Sequence, residues 1–484
     1  MSQPATAEEP QLKRVMGPGL LLLFVVGDIL GTGVYALTGQ VAKEVGGAAW
    51  VPFLAAFLIA TITAFSYLEL VTKYPQAAGA ALYAHKAFGV HFVTFLVAFI
   101  VMCSGITSAS TASRFFAISF FDAIEVNFGQ FFTDHVAHLK VVGVILLALL
   151  FMALIAAVNL RGVSESVKLN VVLTFIEITG LVLVVAVGLW AIVSGVDVDF
   201  SRVVAFDTSG EKNAFVAVTA ATSLAFFAMV GFEDSVNMAE ETKDPVRIFP
   251  KVLLTGLGIA GLVYVVVAVI AVALVPVGTL AESDSSPLVK VMEAAAPGLP
   301  FSNILPIISM FAVSNTALIN MLMASRLIYG MARQHVLPPM LGTVHPKRHT
   351  PWVAIVFTTL IAFGLIFYVS AFASGDTVAI LGGTTSLLLL AVFSVVNVAV
   401  LVLRRDVRKE GGHFKTPTVL PVIGFIASMY LVLPTSGRPG VQYVLALALV
   451  ATGVVLFVIT KMINKQLGIT GPGITDPTHL ADAP

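Results

Sequence analysis

The stretch GDILGTGVYALTG, Gly27 to Gly39, lies inside a long apolar run yet carries four glycines, two threonines and an aspartate. A glycine inside a helix costs about 1 kcal/mol relative to alanine. A carboxylate at the centre of a membrane helix costs about 2.5–3.5 kcal/mol on insertion scales. Both costs fall within a few turns of chain, so the segment reads as a membrane helix that is interrupted on purpose.

The surrounding composition makes the membrane setting plain. Of 484 residues, 58% are hydrophobic and 11% charged, and the mean hydropathy is +0.98. A soluble domain carries about 25% charged residues. Apolar segments fall at about 17–41, 48–70, 90–113, 141–159, 166–195, 214–238, 251–276, 303–329, 352–371, 376–403, 417–434 and 441–460. Runs of this length span a bilayer as helices, and the alternation of an outer-membrane barrel is absent. The expectation is an all-α polytopic membrane protein with twelve transmembrane helices. The first run has no evident cleavage site and reads as span 1 rather than a signal peptide.

Charge sets the orientation. With the N-terminus inside, 20 of the 27 lysines and arginines fall in cytoplasmic segments, which places both ends in the cytoplasm of a cell (plasma) membrane. Formal net charge is zero, so no nucleic-acid partner is expected. The single cysteine, Cys103, forbids an intramolecular disulfide, and the nine histidines show no metal spacing. Residues 1–16 read as a cytoplasmic tail and 464–484 as a disordered one. The stretch LAESDSSPLVKVMEAAAPG, after span 7, reads as a short amphipathic helix over the outer mouth.

A second interruption stands at a matching place. FFAMVGFEDSVNMAEE, Phe226 to Glu241, sets Gly231, Glu233 and Asp234 in the midst of span 6. Spans 1 and 6 each begin a set of five, so the core at 17–403 divides into repeats at about 17–195 and 214–403, with two accessory helices in 404–463. Paired broken helices in two halves of a chain point to the binding site of a secondary transporter built as a 5+5 inverted repeat. Amides freed at a half-helix N-terminus suit a carboxylate, and freed carbonyls suit an ammonium, so a zwitterionic amino acid fits the pair. Taken alone, Gly31 and Gly33 also suit close helix packing.

GDILGTGVYALTG, YLELVTKYPQAAGAALYAHKAFG, FFAMVGFEDSVNMAEETKDPVRIFPKVLL and SRLIYGMARQHVLPPMLGTVHPKRHTPW lie in order over spans 1 to 9. In these segments the chain resembles the amino acid–polyamine–organocation (APC) permeases, which share the inverted-repeat fold. The resemblance implies that the backbone at Gly31, Thr32 and Gly33 binds a substrate carboxylate. It implies ammonium binding by carbonyls near Phe226, Ala228 and Met229, and an aromatic gate at Phe227. It further implies secondary active transport of an amino acid by alternating access, as proton-coupled symport or exchange, with no cofactor. A polyamine or amine permease is the alternative substrate reading.

Several polar residues carry two readings each. Asp28 stands where many relatives have a small or neutral residue; it either favours cationic substrates or is protonated and hydrogen-bonded within the bundle. Asn170, Thr174 and Glu177 fall at i, i+4 and i+7 of span 5, one stripe that must face the bundle interior. Many relatives have a lysine at the Glu177 position. Glu177 is read as the coupling proton's carrier, a structural hydrogen-bonding group or an ion ligand. Glu233 is the better candidate for a pH-responsive role by resemblance, against simple charge complementation of a second half-helix. In span 3, Ser104, Thr107, Ser108 and Thr111 read either as a wall of the substrate path or as hydroxyls satisfied on their own helix. Ser314, Asn315 and Asn320 of span 8 are further candidates. Glu69 reads as a structural interface residue, and the Glu240–Arg247 cluster as a solvated face or inner gate.

Other classes fit less well. No HExxH is present, GTGVYALTG follows no strand, and no second acid pairs as an intramembrane protease requires. A channel needs a continuous polar pore, whereas the polar residues here cluster at mid-depth. A sensor on a transporter scaffold would need a signalling domain, and none fits between the spans. Oligomeric state is not legible.

Overall fold

The computed structural model describes residues 14, 16–76, 79–129, 139–195, 198–208, 212–239, 241–282, 286–372, 376–405 and 412–466, with backbone alone considered at 163–168. Both tails therefore lie almost wholly outside the described residues, as does Glu240. Among the described residues the chain is helical throughout, with two isolated bridges and no strand. Eleven segments are long and apolar enough to cross a membrane: spans 1 (Pro18–Val45), 2 (Gly47–Lys73), 3 (His91–Asn127), 4 (Lys140–Arg161), 5 (Leu169–Val193), 6 (Ala214–Met238), 7 (Pro245–Leu274), 8 (Phe301–Arg333), 9 (Trp352–Phe372), 10 (Thr377–Leu403) and 12 (Gly440–Gln466). Span 11 is the 14-residue helix Val419–Val432. At 1.5 Å per residue it is about 21 Å long, short of a hydrocarbon core of about 30 Å. Pro434 ends it and opens a 3₁₀ turn, Pro434–Ser436.

The boundary that differs most from the sequence reading is that of span 3. Hydropathy stops at Arg114, but the helix continues to Asn127. Arg114 is half-buried and close enough to Asp376, the residue that caps span 10, for their charges to interact, but its Nε and Nη1 have no hydrogen-bond partner; the helix runs on through a charge that halts a hydropathy window.

Span 3 is the central post. It packs along spans 8 and 10, while span 2 packs along span 7 and span 1 sits between spans 5, 6 and 7. Spans 11 and 12 lie against span 10, outside this core. Leu146, Leu150 and Leu154, four residues apart on span 4, are exposed together; a stripe of this kind faces lipid. The helix expected after span 7 is present at Pro287–Ala295, burying Pro287, Leu288, Val289, Val291, Met292 and Ala295. A further helix, Gly79–Phe88, packs on spans 3 and 10.

Candidate functional site

Span 1 is two helices. The first, Pro18–Ile29, ends where the Tyr264 hydroxyl donates to the Ile29 carbonyl, and the second begins at Thr32 without a side-chain cap. The glycines explain why the break closes on its surroundings. A Cβ on Gly31 would strike the Thr316 hydroxyl, and one on Gly33 would strike the Ala228 backbone. Gly31 and Gly33 thus allow close packing at the break itself.

Span 6 breaks differently. Its α-helix ends at Ala225, a 3₁₀ turn covers Phe226–Met229, and Val230 is extended. Gly231 has φ +119°, a conformation that glycine adopts freely. The Glu233 carboxylate folds back to accept from the Gly231 amide at 3.0 Å. The span then continues as a five-residue 3₁₀ segment, Asp234–Met238, not as the second α-helical half expected from hydropathy. A 3₁₀ turn has fewer residues per turn and poorer hydrogen bonds, so this half of the span is the less regular one. The two breaks touch: a Cβ on Gly231 would meet the Asp28 carbonyl oxygen at 2.7 Å.

Between them is a small cavity of about 10 Å³ walled by Asp28, Gly31, Thr32, Gly33, Phe227 and Gly231 among others. Ser108, Val230, Asp234, Thr316 and Asn320 complete most of the remaining wall. Asp28 is 7% exposed, and one of its carboxylate oxygens has no hydrogen-bond partner; the Thr32 and Thr316 hydroxyls also have none. Buried polar groups are almost always hydrogen-bonded, and here three unpartnered ones gather on one cavity.

The remaining sequence candidates are placed around this cavity. Phe227 also packs on Gly382 of span 10. Phe226 stacks edge-on with Phe393, 5.9 Å between centroids, and neither it nor Ala228 or Met229 lines the cavity. Thr107 turns to span 10 instead, its hydroxyl accepting from Thr385 at 2.7 Å. Thr111 donates to the Thr107 carbonyl. The four hydroxyls of span 3 therefore divide, because one polar face of a helix serves more than one neighbour. Thr316 is absent from the sequence candidates; one hydroxyl in a span rich in serine and asparagine carries no signal of its own.

The span 5 stripe faces span 8. Asn170 donates to the Asn315 side-chain carbonyl at 2.8 Å, and Asn315 donates to Thr174 at 3.1 Å. Glu177 is fully buried, and neither carboxylate oxygen completes a hydrogen bond by geometry, although the Asn315 amide bears on it. The Tyr35 hydroxyl donates to the Glu177 backbone carbonyl at 3.2 Å. Thr174 meanwhile packs where a Gly27 side chain would stand, so this stripe lies directly behind the break in span 1.

At the end of the bundle away from the N-terminus, hydrogen bonds tie the elements together. Gln40 donates to Asp376 at 2.9 Å and to the Ala281 carbonyl at 3.1 Å, and the Ser286 amide donates to Asp122 at 2.7 Å. At the other end, Met16 exchanges backbone hydrogen bonds with Glu241 and Lys243, and Asp244 caps span 7. Among the described residues no group of His, Cys, Asp and Glu is placed to hold a metal ion.

Comparison with known proteins agrees with this architecture. An amino acid permease family model matches residues 21–463. The chain is 26% identical over 460 residues to the methylthioribose transporter of Bacillus subtilis (strain 168), covering 94% of each. It is 26% identical to the branched-chain amino acid permease BcaP of the same organism, covering 89% of this chain and 90% of that one. It is 29% identical over 349 residues to the chloroplastic cationic amino acid transporter 9 of Arabidopsis thaliana, covering 69% and 58%. A match of this extent, over a broken-helix bundle of this form, shows that the chain belongs to the amino acid permeases of the APC superfamily.

Proposed function

We propose that this permease carries amino acids by alternating access, holding the substrate's charged head at the two breaks and moving a coupling proton on Glu177. The observation that carries the reading is the meeting of two interrupted spans at a cavity with unpartnered Asp28, Thr32 and Thr316. The amides that open the second half of span 1 suit the carboxylate. Asp28 suits the ammonium. The hydrogen-bonded Gln40–Asp376 side and the narrow cavity suit one end-state of a cycle in which the breaks separate to admit substrate. The basic loops around the N-terminal end favour a cytoplasmic placement of that end.

Glu177 sits one helix behind the site, buried and short of donors, where carrying a proton relieves the cost of an isolated charge. The test is reconstitution in liposomes with labelled amino acids. Saturable uptake with counterflow is expected, and Glu177→Gln should abolish substrate-driven proton movement while exchange persists. Uptake that never saturates would end the carrier reading; intact coupling in the variant would end the role of Glu177. Because one relative is named for methylthioribose, the panel includes that uncharged sugar. Its transport in preference to every amino acid would displace the head-group reading.

A further inference from the structure

At the end of the bundle away from the N-terminus, Gln40 bonds to Asp376, and Arg114 stands beside that contact without joining it. We infer that Arg114 is the second partner of Asp376: the carboxylate bonds to Gln40 while this end is tied together and to the guanidinium once it opens. This role rests on the alternating-access reading.

The three residues belong to two groups of helices. Arg114 lies in span 3 and Asp376 caps span 10, and those two spans pack along each other. Gln40 lies in the second helix of span 1, which packs chiefly on the first helix of span 6. Moving the groups apart takes Gln40 from Asp376 and leaves Arg114 in place. The seam between them is not filled. A third cavity of about 10 Å³ lies there, walled by Ala36, Gln40, Phe115, Glu282 and Asp376 among others.

The charges at the seam are paired against their strength. Asp376 accepts from the neutral Gln40 amide at 2.9 Å and from the Ala379 backbone at 3.0 Å. Arg114 forms no ion pair with it, and the Arg114 Nε and Nη1 are withdrawn from solvent without a partner. A guanidinium–carboxylate hydrogen bond is about twice as strong as one from a neutral amide, so the better bond is forgone in this form. No other charge at the seam takes the place of Arg114. Glu282 is held by Lys290 at 2.9 Å, and Lys43 is exposed near the end of Gln40's own helix, with which it moves. A guanidinium that only anchored span 10 would bond Asp376 here, as Arg404 bonds Glu69. A pair made in one form alone shifts the balance towards that form.

The test reads how open this end is. Ala36→Cys, with Cys103→Ala removing the native thiol, reports on the seam through a membrane-impermeant thiol reagent added to intact cells expressing the full chain. Gln40→Ala should raise the rate of modification several-fold. Arg114→Met should lower it several-fold. Asp376→Asn should lower it too, because an asparagine still accepts from Gln40 but offers Arg114 no charge; this variant decides the matter if Arg114→Met fails to fold. The opposite signs are the critical result, since losing a purely structural contact loosens the seam in every variant. A rate that rises or stays unchanged in Asp376→Asn and in folded Arg114→Met overturns the inference, and uptake of radiolabelled amino acid by the wild type then leaves alternating access standing. A wild type that carries no amino acid removes both.

Discussion

Glu69 and Asp28 are carboxylates in consecutive spans, 2% and 7% exposed, and the structure treats them in opposite ways. Glu69 is saturated. It takes both arms of Arg404 at 2.8 and 2.6 Å and the Thr416 amide at 2.8 Å. Lys73 nearby donates to the Leu403 carbonyl, and Thr72 accepts from the Phe414 amide. Together these tie the end of span 2 to span 10 and the segment after it. Asp28 is left wanting a partner on a cavity. Arg438 belongs with Glu69: it is buried but donates to the Leu431 and Gly383 carbonyls, Ser386 and Gln442, joining spans 10, 11 and 12. Burial of charge therefore does not by itself separate one role from another in this fold: the protein answers Glu69 and Arg438, and leaves an Asp28 oxygen without a partner.

The contrast breaks most readily at Glu69. Glu69→Ala strands the Arg404 guanidinium, and removing one partner of a buried pair costs about 3–5 kcal/mol. Thermal or denaturant unfolding in detergent should show a loss of that size; a variant as stable as wild type would erase the difference between the two carboxylates. Arg438→Met keeps much of the volume but leaves the Leu431 and Gly383 carbonyls short of a donor, at about 2–3 kcal/mol for lost charged hydrogen bonds. The same measurement reads it, and an effect confined to transport with full stability would count against a scaffolding role. Asp28→Asn should sharpen the comparison from the other side. Stability should stay within about 1 kcal/mol or rise, since an unanswered charge is relieved, while substrate affinity drops at least tenfold in a binding assay. A large loss of stability with normal affinity would place Asp28 with the scaffold.

Both interruptions are legible in the chain. Glycines beside Asp28 and again beside Glu233 and Asp234 break an apolar pattern where a membrane helix tolerates breaks least. The 3.6-residue period sets Asn170, Thr174 and Glu177 on one face, and that face does meet Asn315. Other features leave no trace. Hydropathy ends span 3 at Arg114 because it counts a charge and cannot see Asp376 opposite it. Thr316 and Tyr67 are ordinary residues of apolar spans until the bundle sets one against Gly31 and the other among three rings. The irregular second half of span 6 keeps the same apolar content as a helix would.

By itself the amino-acid order determined that the chain lies in lipid, where it is interrupted, and which faces of its helices are polar. Those are local properties, dictated by the cost of exposing peptide groups and charges to hydrocarbon. Only tertiary packing decided which buried charges are answered. That outcome depends on rotation and axial register between helices far apart in sequence, and two residues such as Glu69 and Arg404, or Asp28 and Gly231, acquire a relation only when the bundle closes.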